Sequence, residues 1–93
     1  MFRWDESKRE KVIAEHGVDF AGIEDVFDDP FGVYYDDFNH SGEEMRYAVI
    51  GKTARYGLVI LIFSAQGEEI RFITARRAEK WMVKKYERQR KRY

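Results

Sequence analysis

The stretch EIRFITARRAEKW (69–81) begins as a β-strand and ends as the opening of a helix. β-Forming residues dominate as far as Ile73, and a segment of helical composition starts at Ala75. Three arginines lie across this junction: Arg71, Arg76 and Arg77. A strand end can present a guanidinium over an open sheet face, whereas burying an unpaired charge would be costly. The stretch therefore predicts an α+β fold with a cationic site at the rim of its sheet.

Three further strands are predicted upstream of this stretch. The segment LVILIF (58–63) is apolar on both faces, which predicts a central strand that is covered on both sides. The segment MRYAVIGKT (45–53) alternates and places Arg46 on the face opposite Val49, and FGVYYDDF (31–38) is aromatic and β-branched. Short turns separate these strands, so we expect an antiparallel meander.

Two helices are predicted before the strands. The segment WDESKREKVIAEHG (4–17) has Asp5 as its N-cap and Gly17 as the residue that ends it. The next segment, 18–30, has apolar residues at helical spacing after the potential cap Asp19. We expect α-helices in both.

A last helix is predicted from about Arg76 or Arg77 to Arg92. Its apolar face is formed by four residues: Ala78, Trp81, Met82 and Tyr86. The predicted order of elements is α-α-β-β-β-β-α, with the helices packed on an antiparallel sheet. Residues 1–93 are therefore expected to form a single small α+β domain.

The composition excludes several kinds of protein. With 44% hydrophobic residues the chain is too apolar to be disordered, and without cysteine it has neither disulfides nor a Cys-based zinc site. Two histidines make a poor transition-metal site, so we expect no metal and no other cofactor. The chain has no signal-peptide pattern and no apolar stretch of about 20 residues that could span a membrane. We expect a soluble, cytoplasmic protein without a membrane partner.

The charges are distributed unevenly although the net charge is zero. Residues 1–45 hold 13 acidic and 4 basic residues, and residues 46–93 hold 13 basic and 4 acidic ones. One interpretation is an acidic layer and a basic layer, of which the basic one could bind nucleic acid. The other interpretation is that the two halves attract each other within the fold.

Three segments together resemble one family. They are FRWDESKREKVIAEHGVDFAGIEDVFDDP (2–30), GEEMRYAVIG (42–51) and EIRFITARRAEKWMVKKYE (69–87). Their order and spacing are similar to those of the BrnT toxins. In the first segment the matching residues are Trp4, Asp5, Lys8, His16, Gly17, Val18, Phe20, Val26, Phe27, Asp28, Asp29 and Pro30.

The resemblance implies a RelE-like ribonuclease fold and a toxin of a type II toxin–antitoxin system. Such a toxin inhibits translation by cutting RNA. Its partner is a ribbon-helix-helix antitoxin, similar to BrnA, which neutralises the toxin and binds the operator. We expect two toxins per antitoxin dimer, with the antitoxin over the surface that bears Arg71 and Arg76. Operator DNA would be bound only through the complex.

Metal-free cleavage of RNA needs cations for the charge on phosphorus and groups that move protons. Arg46, Arg71 and Arg76 are the electrostatic candidates, because a guanidinium fork matches phosphate oxygens. The alternative for Arg46 and Arg71 is a structural ion pair with Glu44 or Glu69. Strict alternation places Arg71 and Arg76 on opposite faces, unless the chain leaves strand geometry near Ala75.

His16 is the candidate proton donor or acceptor, and its alternative role is to stabilise the end of the first helix. Four residues are candidates for RNA binding: Lys8, Glu44, Trp81 and Tyr86. Lys8 could instead be a solvated helix charge, Glu44 could be a base or the partner of Arg46, and Trp81 and Tyr86 could belong to the core. Arg77 is interpreted as a solvated helix charge and His40 as a surface residue.

The sequence as a whole predicts a metal-independent endoribonuclease toxin. Two alternatives stay open. One is a non-catalytic interaction protein of the same fold, and the other is a DNA-binding regulator.

Overall fold

The computed structural model describes residues 1–36 and 45–92. Five strands are present in these ranges: β1 (Phe2–Arg3), β2 (Val33–Asp36), β3 (Arg46–Thr53), β4 (Gly57–Gln66) and β5 (Glu69–Arg77). Two α-helices, α1 (Glu6–His16) and α2 (Lys80–Arg90), accompany two short 3₁₀ helices at Phe20–Gly22 and Glu24–Asp28. Neither α-helix of the described part is long and apolar enough to cross a membrane.

The strands form one mixed sheet in the order β1-β5-β4-β3-β2. The predicted antiparallel pairs β2–β3, β3–β4 and β4–β5 are confirmed, and so is the α+β class. The expectation of an entirely antiparallel, four-stranded sheet is wrong. The two-residue strand β1 adds a parallel edge next to β5 through the pairs Phe2–Ile70 and Arg3–Arg71. A strand of two residues has no periodicity by which a sequence pattern could reveal it.

The first helix follows the prediction at both ends. The Asp5 carboxylate accepts hydrogen bonds from the Ser7 hydroxyl at 2.6 Å and from the Ser7 N–H at 2.8 Å, and these lower the pKa of Asp5. Gly17 has a left-handed backbone with φ of 68°, and its N–H donates to the Ile13 carbonyl at 2.9 Å. Both caps use residue types that suit these positions.

The predicted second α-helix is two 3₁₀ helices instead. Asp19 caps the first of them, as predicted, but Ile23 leaves the helical region with φ of −128° and ψ of 12°. The second lies directly on the sheet, where a Cβ on Gly51 would come within 2.8 Å of the Val26 Cγ2 atom. Close packing of Val26 on Gly51 thus outweighs the helical spacing of the apolar residues.

The last helix starts later than predicted, because β5 continues to Arg77. The Ala78 N–H still donates to the Leu58 carbonyl at 3.0 Å, so the ladder ends only there. Met82 and Tyr86 are buried as expected. Trp81 is 50% exposed, so its assignment to the core is wrong. Within α2, Trp81 lies about 100° around the helix axis from Met82 and about 140° from Tyr86, so it is outside the buried face.

The sheet is covered on both faces. Under one face, α1 and the 3₁₀ helices bury an aromatic cluster, in which the Phe20 and Phe72 rings meet edge to face with centroids 5.7 Å apart. Over the other face, α2 packs Met82 and Tyr86 against Ile50. The middle strand β4 supplies residues to both clusters, which confirms the prediction for 58–63.

Tyr86 connects α2 to the acidic segment before β2. Its hydroxyl donates to Asp29 Oδ2 at 2.7 Å, and the Asp29 carboxylate also accepts from the N–H groups of Phe31 and Lys52. Burial and this hydrogen bond raise the pKa of Tyr86 from its ordinary 10.0 to about 12. Burial opposes ionisation of Asp29, but its hydrogen bonds prevail and lower its pKa.

Replacing Tyr86 with Phe should lower the free energy of unfolding by about 1.5–3 kcal/mol, the range for a hydrogen bond to a charged group. Urea unfolding at neutral pH measures this. The raised pKa means that the contribution is complete below pH 10.0 and is lost as the pH rises toward about 12. Tyr34→Phe is the control, because Tyr34 is 53% exposed. Equal stabilities of the two variants would contradict this role for Tyr86.

Candidate active site

An irregularity in β5 determines which arginines share a face. Phe63 pairs with Phe72 and Ile62 pairs with Thr74, so Ile73 is an extra residue in the ladder. A bulge of this kind reverses the alternation beyond it. Arg71 and Arg76 therefore lie on the same face although they are five residues apart. Regular strand pairing resumes after the bulge and continues through Ala75, so the expected departure from strand geometry occurs earlier, at Ile73.

The strand register aligns polar residues in a row across this face. Arg46 pairs with Ser64, Ser64 pairs with Arg71, and Arg71 pairs with Arg3 of the parallel strand. Cross-strand partners have neighbouring side chains on one face. Two predicted arginines and one unpredicted one, Arg3, thus belong to the same row, with the buried Ser64 at its centre.

A cavity of about 430 Å³ lies at this end of the sheet and includes Arg3, Ser64, Glu69 and Arg71 in its lining. The Arg3 guanidinium donates to Glu69 Oε1 at 3.0 Å. The sequence offers Glu69 as a partner for Arg71, but this hydrogen bond commits one of the Glu69 oxygens to Arg3. Sequence reasoning missed Arg3 because its strand is too short to be recognised.

A second cavity, of about 340 Å³, brings the predicted His16 and Arg76 together. Thr74 and the apolar residues Ile60, Ile62 and Ala75 complete its lining. Among the described residues, β1 covers the outer side of β5 only at Ile70 and Arg71. A side chain from the face that α1 covers can therefore reach the exposed edge of β5 at Arg76. We call this cavity the rim groove.

His16 enters the rim groove from the end of α1. It is the last helical residue, and Gly17 turns the chain immediately afterwards. One third of its side chain, 33%, is exposed, and its Nε2 atom lies 3.8 Å from Glu15 Oε2. The imidazole is thus accessible to a ligand while the helix end fixes its backbone.

Arg76 enters the rim groove from the opposite side and is 48% exposed. Its Nη2 atom is 3.2 Å from Glu79 Oε1. The other oxygen of the same carboxylate, Oε2, accepts a hydrogen bond from the Trp81 indole N–H at 3.1 Å. Glu79, which precedes α2, was not among the predicted site residues, and its spacing from Arg76 across a strand–helix junction carries no recognisable pattern.

The remaining candidates do not line the rim groove. Lys8 lies two turns before His16 on α1, about 12 Å away along the axis, and is half-buried. Tyr86 is in the core, which confirms one of its two interpretations. Glu44 and His40 lie outside the described residues. The expectation that Arg77 lies in the last helix is wrong. It is the last residue of β5, and its guanidinium lies over the Tyr56 ring, 5.6 Å from the ring centroid.

Few of the ion pairs between described residues join the acidic half to the basic half. Between described residues, only Arg3–Glu69 joins the two halves, and there the N-terminal half supplies the base. Arg9 and Asp19 pair at 2.8 Å within the N-terminal half, and the hydrogen bonds from Arg9 help to hold the pKa of Asp19 at about 2. Asp25 instead accepts from a backbone N–H, that of Ala54. Within the described part, most side-chain ion pairs thus lie inside one half of the chain.

The arrangement can bind a phosphate and move a proton. The rim groove combines a guanidinium with an imidazole, and a second group of cations follows along the same face at Arg71 and Arg46. Within the described ranges, no three His, Asp or Glu side chains are grouped so that they could hold a metal ion. A polyanion is the ligand that this face suits best.

Comparisons with known proteins agree with this chemistry. A family model described as "Ribonuclease toxin, BrnT, of type II toxin-antitoxin system" matches residues 4–81. The chain is similar to the crystal structure of the Brucella abortus ribonuclease toxin BrnT, with a TM-score of 0.67 and 29% sequence identity. That alignment covers 86% of this chain and 99% of the Brucella chain. Curated proteins gave no match.

The family model covers most of the chain, including α1, the whole sheet from β2 to β5 and the start of α2. His16, Arg46, Arg71 and Arg76 all fall inside the matched range. The resemblance of the three sequence segments is thereby confirmed. This chain belongs to the BrnT family of ribonuclease toxins of type II toxin–antitoxin systems.

Proposed function

We propose that this chain is a metal-independent endoribonuclease that inhibits translation in the cytoplasm by cleaving RNA in the rim groove. The observation that carries the proposal is the meeting of His16 and Arg76 in one cavity of about 340 Å³, in a chain of a ribonuclease toxin family. These two residues supply the proton-transfer group and the cation that the reaction requires.

The reaction follows from the chemistry of RNA itself. The 2′-oxygen attacks the adjacent phosphorus, a new P–O2′ bond forms, and the P–O5′ bond breaks. The 2′-hydroxyl must lose a proton and the departing 5′-oxygen must gain one. A positioned imidazole can accept or donate a proton near neutral pH. We assign one of these transfers to His16.

Arg76 stabilises the negative charge that accumulates on the phosphate oxygens during the attack. Its permanently charged fork can donate two parallel hydrogen bonds to two of these oxygens. The Glu79 carboxylate holds the guanidinium from the other side at 3.2 Å. Half of the Arg76 side chain remains exposed, so that a phosphate can reach it without expelling a buried partner.

Arg71 and Arg46 extend the binding surface along the RNA strand. On β4, the partners of Arg76 and Arg71 are Ile60 and Ser64. Four residues of strand separate these positions, about 13 Å, and long side chains can span much of that distance. We therefore assign Arg71 and Arg46 to phosphates next to the one that reacts. Lys8 is a more distant contact, from α1.

The proposal is tested by incubating purified chain with a short RNA in excess EDTA and in magnesium. The donors of the rim groove are an imidazole and a guanidinium, which need no divalent ion to act on a phosphate. Cleavage should proceed at a similar rate in both buffers. Activity that disappears with EDTA and returns with magnesium would refute metal independence. RNA that is bound but never cut would favour the non-catalytic alternative.

We further infer that the antitoxin is a ribbon-helix-helix protein similar to BrnA, whose dimer binds two copies of this chain. An antitoxin that covers Arg71 and Arg76 would block RNA directly. An interface of this type buries about 1,200–2,000 Å². Light scattering on the co-purified complex should give a 2:2 mass. The complex, and not the free chain, should shift operator DNA in a gel, and tight specific binding by the free chain would favour the regulator alternative.

A further inference from the structure

Trp81 is a large aromatic side chain that the fold leaves at the surface. It is 50% exposed and belongs to neither core cluster, although it lies one residue before the buried Met82. Its position in the first turn of α2 places it directly after the strand that carries Arg76. An exposed tryptophan next to a proposed phosphate-binding arginine calls for a physical explanation.

Glu79 connects the two side chains. One carboxylate oxygen accepts from the Trp81 indole N–H at 3.1 Å, and the other lies 3.2 Å from the Arg76 guanidinium. A single carboxylate therefore orients an aromatic ring and a cation relative to each other. Glu79 is itself 51% exposed, and ion pairs at such exposed positions contribute little to stability. The effect of this arrangement is mainly on orientation.

We propose that Trp81 is a stacking platform for one RNA base, next to the phosphate that Arg76 binds, and that Glu79 is the residue that positions both. This inference rests on the proposed function, because it assigns a base-binding subsite beside the rim groove. Any base can stack on an aromatic ring, so the platform serves single-stranded RNA of varied sequence.

The positive charges that follow Trp81 suit a single strand of RNA that continues along α2. Lys84, Lys85 and Arg88 follow it by three, four and seven residues, so they lie on the same side of the helix, and all are exposed. A base held on the indole would leave its phosphates close to these cations. Stacking combined with a track of cations is how proteins bind single-stranded nucleic acid.

Binding of a 2′-O-methyl RNA tests the platform without cleavage, because the attacking hydroxyl is blocked. Trp81→Ala should weaken binding by about 10- to 100-fold, the usual loss for one stacked base. Trp81→Phe keeps a ring and should lose only a few-fold. Salt dependence separates stacking from charge. Trp81→Ala should leave the salt slope unchanged, whereas the matched control Lys84→Gln should reduce it by about one phosphate contact.

An oligonucleotide scan then identifies the stacked base. Abasic substitutions along the RNA should include one position that weakens binding to the wild-type chain and has no effect on Trp81→Ala. Glu79→Ala should reduce the loss of binding that Trp81→Ala causes, because the indole then lacks the hydrogen bond that fixes its orientation.

Unchanged RNA binding by Trp81→Ala would overturn the inference. So would a loss of antitoxin binding with RNA binding intact, which would make Trp81 a contact for the antitoxin. RNA cleavage by the wild-type chain is measured in parallel, because it distinguishes failure of the stacking platform from failure of the proposed function. If the wild type cleaves RNA and Trp81→Ala binds equally well, only the platform is rejected.

Discussion

Arg76→Ala should reduce the rate of RNA cleavage by about 10²–10³-fold, the usual cost of removing one donor that stabilises a developing oxyanion. Arg76 lines the rim groove and is half exposed, so its loss removes a cation from the site and leaves the core unchanged. Single-turnover rates on a defined RNA measure the effect. In cells, the variant should also relieve growth inhibition at equal expression.

Arg77→Ala is the matched control for this variant. It removes the same charge from the next residue, but Arg77 pairs with Val59 and therefore lies on the opposite face, over Tyr56. Its cleavage rate should change only a few-fold. Arg76→Lys should rescue poorly, because a point charge lacks the guanidinium fork. If Arg76→Ala and Arg77→Ala cleave equally fast, the phosphate is bound elsewhere.

His16→Gln should lower the cleavage rate by about 10²–10⁴-fold, the usual contribution of a positioned acid or base. Glutamine retains a hydrogen-bonding side chain of similar length but cannot exchange a proton near neutral pH. The variant should fold normally, since the helix ends through Gly17 and the Ile13 carbonyl, not through the imidazole. Thermal unfolding serves as the control for structure.

The pH dependence distinguishes the two roles considered for His16. If the imidazole transfers a proton, His16→Gln should lose one limb of the wild-type profile of rate against pH. If His16 only stabilises the end of α1, the variant should be less stable and its rate should follow the wild-type profile. That second result would move the proton transfer to another group.

The fold was predictable wherever one pattern extends over several residues. The two-sided apolar run at 58–63 identified the middle strand, and Asp5 with Gly17 gave the ends of α1. Local patterns failed where a contact distant in sequence determines the conformation. The parallel strand at Phe2 exists only because β5 lies beside it, and the second predicted helix became 3₁₀ through its contact with Gly51.

In the candidate site, too, local sequence patterns failed where contacts distant in sequence determine the geometry. The residue types around the arginines indicated phosphate chemistry, but alternation placed Arg71 and Arg76 on opposite faces. One extra residue, Ile73, reverses this result, and no local preference of isoleucine marks it as a bulge. Glu79 and Arg3 were missed for the same reason, because their partners are set by the junction and by an edge strand.

The chemical form of the RNA ends after cleavage tests the central claim most directly. A short RNA cut by the purified chain in EDTA can be identified by mass spectrometry. Attack by the 2′-oxygen, with charge stabilisation by Arg76 and proton transfer by His16, predicts a 2′,3′-cyclic phosphate on one fragment and a 5′-hydroxyl on the other. Fragments with a 3′-hydroxyl and a 5′-phosphate would show that water attacked instead, and would contradict the mechanism assigned to the rim groove.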